Sequence, residues 1–175
     1  IAVFLPPRTR SLIGLILVVA CLFPFAHHAP AATTWYVKTN GNDTAMGTNW
    51  VTAKKTIQAA IDVSLDGDTV MVSNGIYATG GSVVYGAMTN RVAITNAITV
   101  LSLNGPAVTM IKGSGPLGDS AVRCVYIGEN AQLSGFTLTN GYTRNAWDGD
   151  LDKELSGGGI WCETSGIVTN CTLTG

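Results

Sequence analysis

Five apolar positions recur at one fixed offset late in the chain. Val125, Ile127, Leu133, Phe136 and Leu138 reappear as Ile160, Cys162, Val168, Cys171 and Leu173, each 35 residues on. Within each copy the apolar residues alternate, the period of a half-buried strand. Such a repeat marks a solenoid, in which each coil buries its inward face only against its neighbours. A polar stretch, Tyr142 to Leu155, separates the copies. Allowing for an insertion of that size leaves roughly 20 residues per coil, a usual solenoid length.

The rest of the chain agrees with this reading. Short runs rich in Val, Ile and Thr, bounded by Gly or Asn, read as strands. They are Trp35–Val37, Thr69–Val72, Val92–Ile94, Ile98–Leu103, Val108–Ile111, Arg123–Ile127, Leu133–Leu138, Ile160–Glu163 and Ile167–Leu173. One segment differs. Ile57, Ala60, Ile61 and Ser64 fall at helical spacing with no Gly or Pro between them, which predicts a helix over 53–64 with Thr52 as N-cap. A solenoid exposes the edge and core of its first coil. The helix precedes the first coil strand, and its Ile57 and Ile61 face is expected to cover that end.

The N-terminus sets the compartment. Arg8 and Arg10 precede an apolar run, Leu12 to Phe25, followed by Ala29-Pro30-Ala31. That order describes a secretory signal peptide cleaved after Ala31. The run is short of the ~20 residues that span a bilayer. A lipoprotein signal is the second reading, because Val18-Val19-Ala20-Cys21 resembles a lipobox. The sequence begins with Ile and stops at Gly175 inside a strand-rich pattern, so it reads as a fragment. The domain reading is a signal peptide at 1–31, a strand and capping helix at 32–68, and the first coils at 69–175 with an inserted loop at 142–155.

Removing 1–31 takes two bases and leaves 8 against 11 acids, a net charge of −3. This balance provides no basic footprint for nucleic acid. Both histidines, His27 and His28, leave with the signal. Within 32–175, Ser-His-Asp and Cys-His catalysis and His-ligated metals are therefore excluded.

The segments Trp35-Tyr36-Val37, Lys55-Thr56-Ile57-Gln58-Ala59-Ala60-Ile61-Asp62, Gly67-Asp68-Thr69-Val70-Met71-Val72 and Gly75-Ile76-Tyr77 resemble the opening of secreted bacterial right-handed parallel β-helix proteins of the pectin-lyase-like superfamily. Val125 to Gly141 resembles their coil repeat, and Gly157 to Leu173 the next one. The resemblance implies an all-β fold, a right-handed parallel β-helix solenoid with a short N-terminal capping helix, incomplete at the C-terminus. It implies a secreted or cell-surface protein, a monomer without a membrane span, whose partner is a polysaccharide or cell-surface glycan. The superfamily holds polysaccharide lyases, glycoside hydrolases and non-catalytic adhesins, so fold alone leaves the activity open. Neither adjacent Asp-Asp nor His-Gly occurs in the coil segments, so catalytic residues of a lyase or hydrolase are expected beyond the fragment. The alternative is a non-catalytic adhesin-type or structural solenoid.

The inserted loop is the candidate site, since function concentrates in loops on rigid scaffolds. Tyr142 and Trp147 offer rings for stacking on a sugar, and Arg144 and Asn145 offer hydrogen bonds. Asp148, Asp150 and Asp152 alternate, and carboxylates at alternating positions can converge on Ca²⁺. Lys153 stands where an EF-hand loop needs Gly, so this is no EF-hand. Alternation turns Cys162 and Cys171 inward, either as small buried hydrophobes or as a disulfide. Arg123 reads as a solvated strand-end residue. Asn104, Asn140 and Asn170 follow strand ends and read as turn residues stacked in a ladder.

Overall fold

A computed structural model describes residues 31–175. The expectations placed on residues 1–30, export signal and Cys21 included, lie outside the described residues. The chain opens with strand β1 (Thr34–Val37) and helix α1 (Ile57–Ile61). The next coil holds β2 (Thr69–Val72), β3 (Gly75–Tyr77), β4 (Ser82–Val83) and β5 (Thr89–Ile94). Then come β6 (Thr99–Ser102), β7 (Thr109–Lys112) and β8 (Val122–Ile127). The fourth turn has β9 (Gln132–Ser134), β10 (Thr137–Thr139), helix α2 (Leu151–Leu155) and β11 (Ile160–Cys162), and β12 (Ile167–Thr169) and β13 (Thr172–Thr174) follow.

Like strands stack in parallel. One sheet runs β1-β2-β6-β9-β12, a second β3-β7-β10-β13 and a third β4-β5-β8-β11, where only β4 is antiparallel. This is a parallel β-helix of about four turns. The 35-residue offset is the register itself: Val125 faces Ile160, Ile127 faces Cys162, Leu133 faces Val168 and Leu138 faces Leu173. Inside, Val70, Val100 and Leu133 form one fully buried column, and Ile111 and Leu138 lie in another.

The expected coil of roughly 20 residues is corrected. Thr69 pairs with Thr99, and Thr99 with Gln132, so earlier coils already span 30 and 33 residues. Each coil carries its own extra segment at one corner, and only the longest was visible as an insertion. The run Leu133–Leu138 is likewise two strands, bent at Gly135-Phe136.

The cap is shorter than the 53–64 expectation, and its N-cap is Thr56, not Thr52. Residues 53–56 cannot be helical, because Lys54 N donates to Tyr36 O at 2.8 Å and Lys38 N to Lys54 O at 3.0 Å. This stretch covers the outer edge of β1. Asp43 accepts the Lys55 and Thr56 N–H groups, each at 2.8 Å, fixing the start of α1. Ile57, Ala60 and Ile61 join the core. Gln58 acts as a substitute strand: Ala93 N–H donates to its Oε1 at 2.8 Å, and its Nε2 donates to Ala93 O at 3.3 Å. An amide side chain thus satisfies the edge of β5 beyond the reach of β4, which pairs only with Thr89 and Asn90.

Candidate functional site

The three corners of each coil are unequal. The first sheet passes to the second through 73–74 and 135–136, with 103–108 between them, and the third returns to the first through 95–98, 128–131 and 163–166. The second passes to the third through 78–88, 113–121 and 140–159. Among the described residues the longest segments leave from that one corner, and the third bonds to each of the other two. Gly118 N donates to Thr143 O at 3.1 Å, and Ala87 N to Asp148 Oδ1 at 3.0 Å.

The longest loop closes on itself where Gly141 and Gly158 meet. A Cβ on Gly141 would lie 2.0 Å from the Gly158 carbonyl oxygen, so only glycine fits. Asp150 caps α2, accepting the Lys153 N–H at 3.0 Å. That turn sends Glu154 inward to full burial. Its Oε1 accepts the N–H groups of Gly149 at 2.7 Å and Asp150 at 2.8 Å, and Oε2 pairs with Arg144 Nη1. Burial alone would raise the Glu154 pKa. The N–H groups of Asp150, Gly149 and Asp148, with Arg144, outweigh it and hold it at about 2. Arg144 also reaches Asp148 at 2.8 Å and Asp119 at 3.1 Å. Despite its own burial, these carboxylates raise its pKa.

Arg123 is corrected most. It is 1% exposed, not solvated. Its guanidinium donates to Gly157 O at 2.9 Å, Ser156 O at 2.8 Å, Asn90 Oδ1 at 2.9 Å and also Lys153 O. Burial lowers its pKa to about 10, so it stays charged at neutral pH. A buried cation here satisfies the carbonyls at the C-terminal end of the loop, which would otherwise be orphaned.

Beside this latch lies a second cluster. Lys153 Nζ donates to Glu163 Oε1 at 2.8 Å and Tyr85 OH at 3.0 Å. Tyr126 OH and Trp161 Nε1 donate to the same Glu163 oxygen at 3.0 and 3.2 Å. Tyr126 and Trp161 are register partners. Burial of Tyr126, with Tyr85 and Glu163 beside it, raises its pKa. The Lys153 pKa is raised by Glu163 and Tyr85.

The residues singled out from sequence separate into different roles. Trp147 and Tyr142 are exposed, at 58% and 42%. Asn145 is exposed beside them in the chain. Arg144 is not a free ligand-binding group; it is committed to the latch. Asp148, Asp150 and Asp152, read from sequence as a Ca²⁺ set, have separate partners. Asp148 holds Arg144 and Ala87, Asp150 caps α2, and Asp152 is exposed in the first turn of α2. Among the described residues no group of three or more His, Cys, Asp or Glu is placed to hold a metal ion. Cys162 and Cys171 are free thiols rather than a bridge. Cys162 stacks on the core residue Ile127 and Cys171 packs against the core, so both share the inward side expected of them; Cys124 is free and buried. The Asn ladder reduces to one pair, Asn104 Nδ2 donating to Asn74 Oδ1 at 2.7 Å. Asn140 and Asn170 instead take positive φ, at 53° and 48°.

Sequence reasoning missed Glu154, Tyr85, Tyr126, Trp161 and Glu163. Tyr85 lies 68 residues from Lys153, beyond any local motif. Trp161 and Glu163 had a signal: the same 35-residue offset that sets Ile160 on Val125 sets Trp161 on Tyr126, facing outward.

The chain belongs to the DUF1565 family, described as a protein of unknown function, whose model matches residues 39–175. No curated protein matches the sequence. Among solved structures a rhamnogalacturonan lyase is similar, with a TM-score of 0.51 at 20% identity. The match covers 64% of this chain and 30% of the lyase, so the chain spans under a third of that protein's length. It shares a fold with that lyase. Among the described residues no helix is long and apolar enough to cross a membrane.

Proposed function

We propose that this chain is part of an exported β-helix protein that binds polysaccharide at the loop-bearing corner. One observation carries the reading. Trp147 stands 58% exposed on a loop that is fixed rather than loose, tied down by Arg144, Glu154 and Arg123. An exposed indole on a preorganised loop suits stacking on a sugar face, because little ordering entropy opposes binding. The shared fold with a polysaccharide lyase supports the same class of ligand.

Binding is favoured over processing on this face. Arg144 and Lys153 are held by carboxylates and protonated, and Arg123 is charged, buried and committed to backbone carbonyls and Asn90, so none of the three is available to abstract a proton. A lyase or hydrolase reading therefore places its catalytic residues outside the described face. Affinity electrophoresis of the intact protein against soluble plant and bacterial polysaccharides tests the proposal. Trp147→Ala is expected to weaken retention about fivefold, one stacked ring being worth ~1 kcal/mol. Unchanged retention with a lowered melting temperature would make the ring part of the packing and overturn it.

A further inference from the structure

The Glu163 cluster has hydrogen-bonding capacity left over. Lys153, Tyr126 and Trp161 all donate to Oε1, and among the described residues no donor reaches Oε2. Lys153 uses two ammonium protons, on Glu163 and Tyr85, and keeps a third. The Tyr85 oxygen accepts from Lys153, so its own proton points away from the ammonium. One carboxylate acceptor and one ammonium donor thus remain, next to a Tyr85 hydroxyl shared between Lys153 and Tyr126. The Lys153 and Glu163 side chains are 22% and 19% exposed, reachable yet held. The aromatic frame is firm: the Lys153 ammonium lies 4.2 Å from the Tyr85 ring centre, and the Tyr85 and Tyr126 rings are 5.9 Å apart. The cluster adjoins the Trp147 loop, because Tyr85 touches Lys153 while Ala87, two residues on, holds Asp148.

This set has no net charge and mixes a donor with an acceptor. Each sugar hydroxyl both donates and accepts, so neighbouring hydroxyls complement it. A uronate carboxylate brings only acceptors, and a negative charge beside Oε2. Burial pushes the Glu163 pKa up, but Lys153, Tyr126 and Trp161 hold it below the usual range, so the repulsion persists at neutral pH. The same donors make Glu163 a poor base.

We propose that Tyr85, Lys153 and Glu163 form a subsite for an uncharged sugar residue, held through neighbouring hydroxyls and selecting against a uronate at that position. The inference rests on the polysaccharide-binding reading above and adds the chemical class taken by a second subsite. The test uses the full chain, without added Ca²⁺, against a panel of neutral polymers (galactan, arabinan, glucomannan, xylan) and against polygalacturonate. The wild type should bind at least one neutral polymer more tightly than polygalacturonate. Tyr85→Phe removes only a hydroxyl and should weaken that binding about fivefold with the melting temperature unchanged. Glu163→Gln should weaken it similarly and narrow the gap to polygalacturonate. A wild type that prefers polygalacturonate, or neutral binding that both variants leave intact, would overturn the subsite. If Trp147→Ala weakens binding and Tyr85→Phe does not, the subsite falls and the binding face stands. If the wild type retains no polymer, both fall.

Discussion

Two corners of the same coil follow opposite rules. At 135–136 the chain turns in the least space available, and Phe136 is fully buried in the core. At 140–159 it leaves the coil, builds a helical turn of its own and returns. The tight corner is held by apolar packing shared with neighbouring coils. The loop corner is held by charge: Glu154 and Arg123 sit beneath it, fully buried, with most of their partners supplied by the loop itself. A solenoid can therefore vary one corner without disturbing its stack, and exposed aromatic residues collect there.

Breaking the tight corner should have the largest effect. Phe136→Ala deletes a buried ring and leaves a cavity, at a cost of ~3–5 kcal/mol, or a fall of about 10 °C in melting temperature. Thermal denaturation followed by circular dichroism reads it. A shift of only a degree or two would mean the corner is not part of the shared core.

Breaking the loop corner should act locally. Glu154→Gln removes the charge opposite Arg144 and weakens the acceptor for three backbone N–H groups. Protease cleavage within 142–158 should become much faster, with the main melting transition nearly unmoved. Cooperative loss of the whole fold would merge the two corners into one unit.

Acid should release the loop on a defined schedule. The Glu154 pKa is lowered from 4.5 to about 2, so its contribution is complete above the unfolded value and disappears as pH falls through the folded one. Trp147 fluorescence should stay constant down to about pH 4.5 and change between there and about pH 2. A transition centred near pH 6 would point to a different group.

The smallest effect on stability belongs to Trp147→Ala. An indole 58% exposed contributes little packing, so the melting temperature should move by no more than about 1 °C. The contrast with Phe136→Ala, two aromatic residues of one coil with opposite effects, sharpens the division between scaffold and site.

The scaffold was legible because its rule is local and repeated. The offset from Val125 to Ile160 is the register, and alternation identifies which side chains point inward. Ile57 and Ile61 were legible as a cap for the same reason, since the helical period survives even in a single turn. Thr56 was missed as N-cap because residues 53–56 pair with β1, a contact that no window of sequence contains. The loop was legible as a location but not as a mechanism. Its acids read alike in sequence, because alternating carboxylates carry no label saying which is a helix cap and which an ion-pair partner. Arg123 was missed for a related reason: its acceptors are mostly backbone carbonyls, which every residue has.

Hydrogen–deuterium exchange of the intact protein, with and without a retained polysaccharide, addresses the central claim most directly. The account predicts added protection at 78–88, 142–158 and the strand bearing Trp161, and none at 73–74 or 135–136. Protection spread over the tight corners, or confined to the outer face of the first sheet, would place the ligand elsewhere and contradict it.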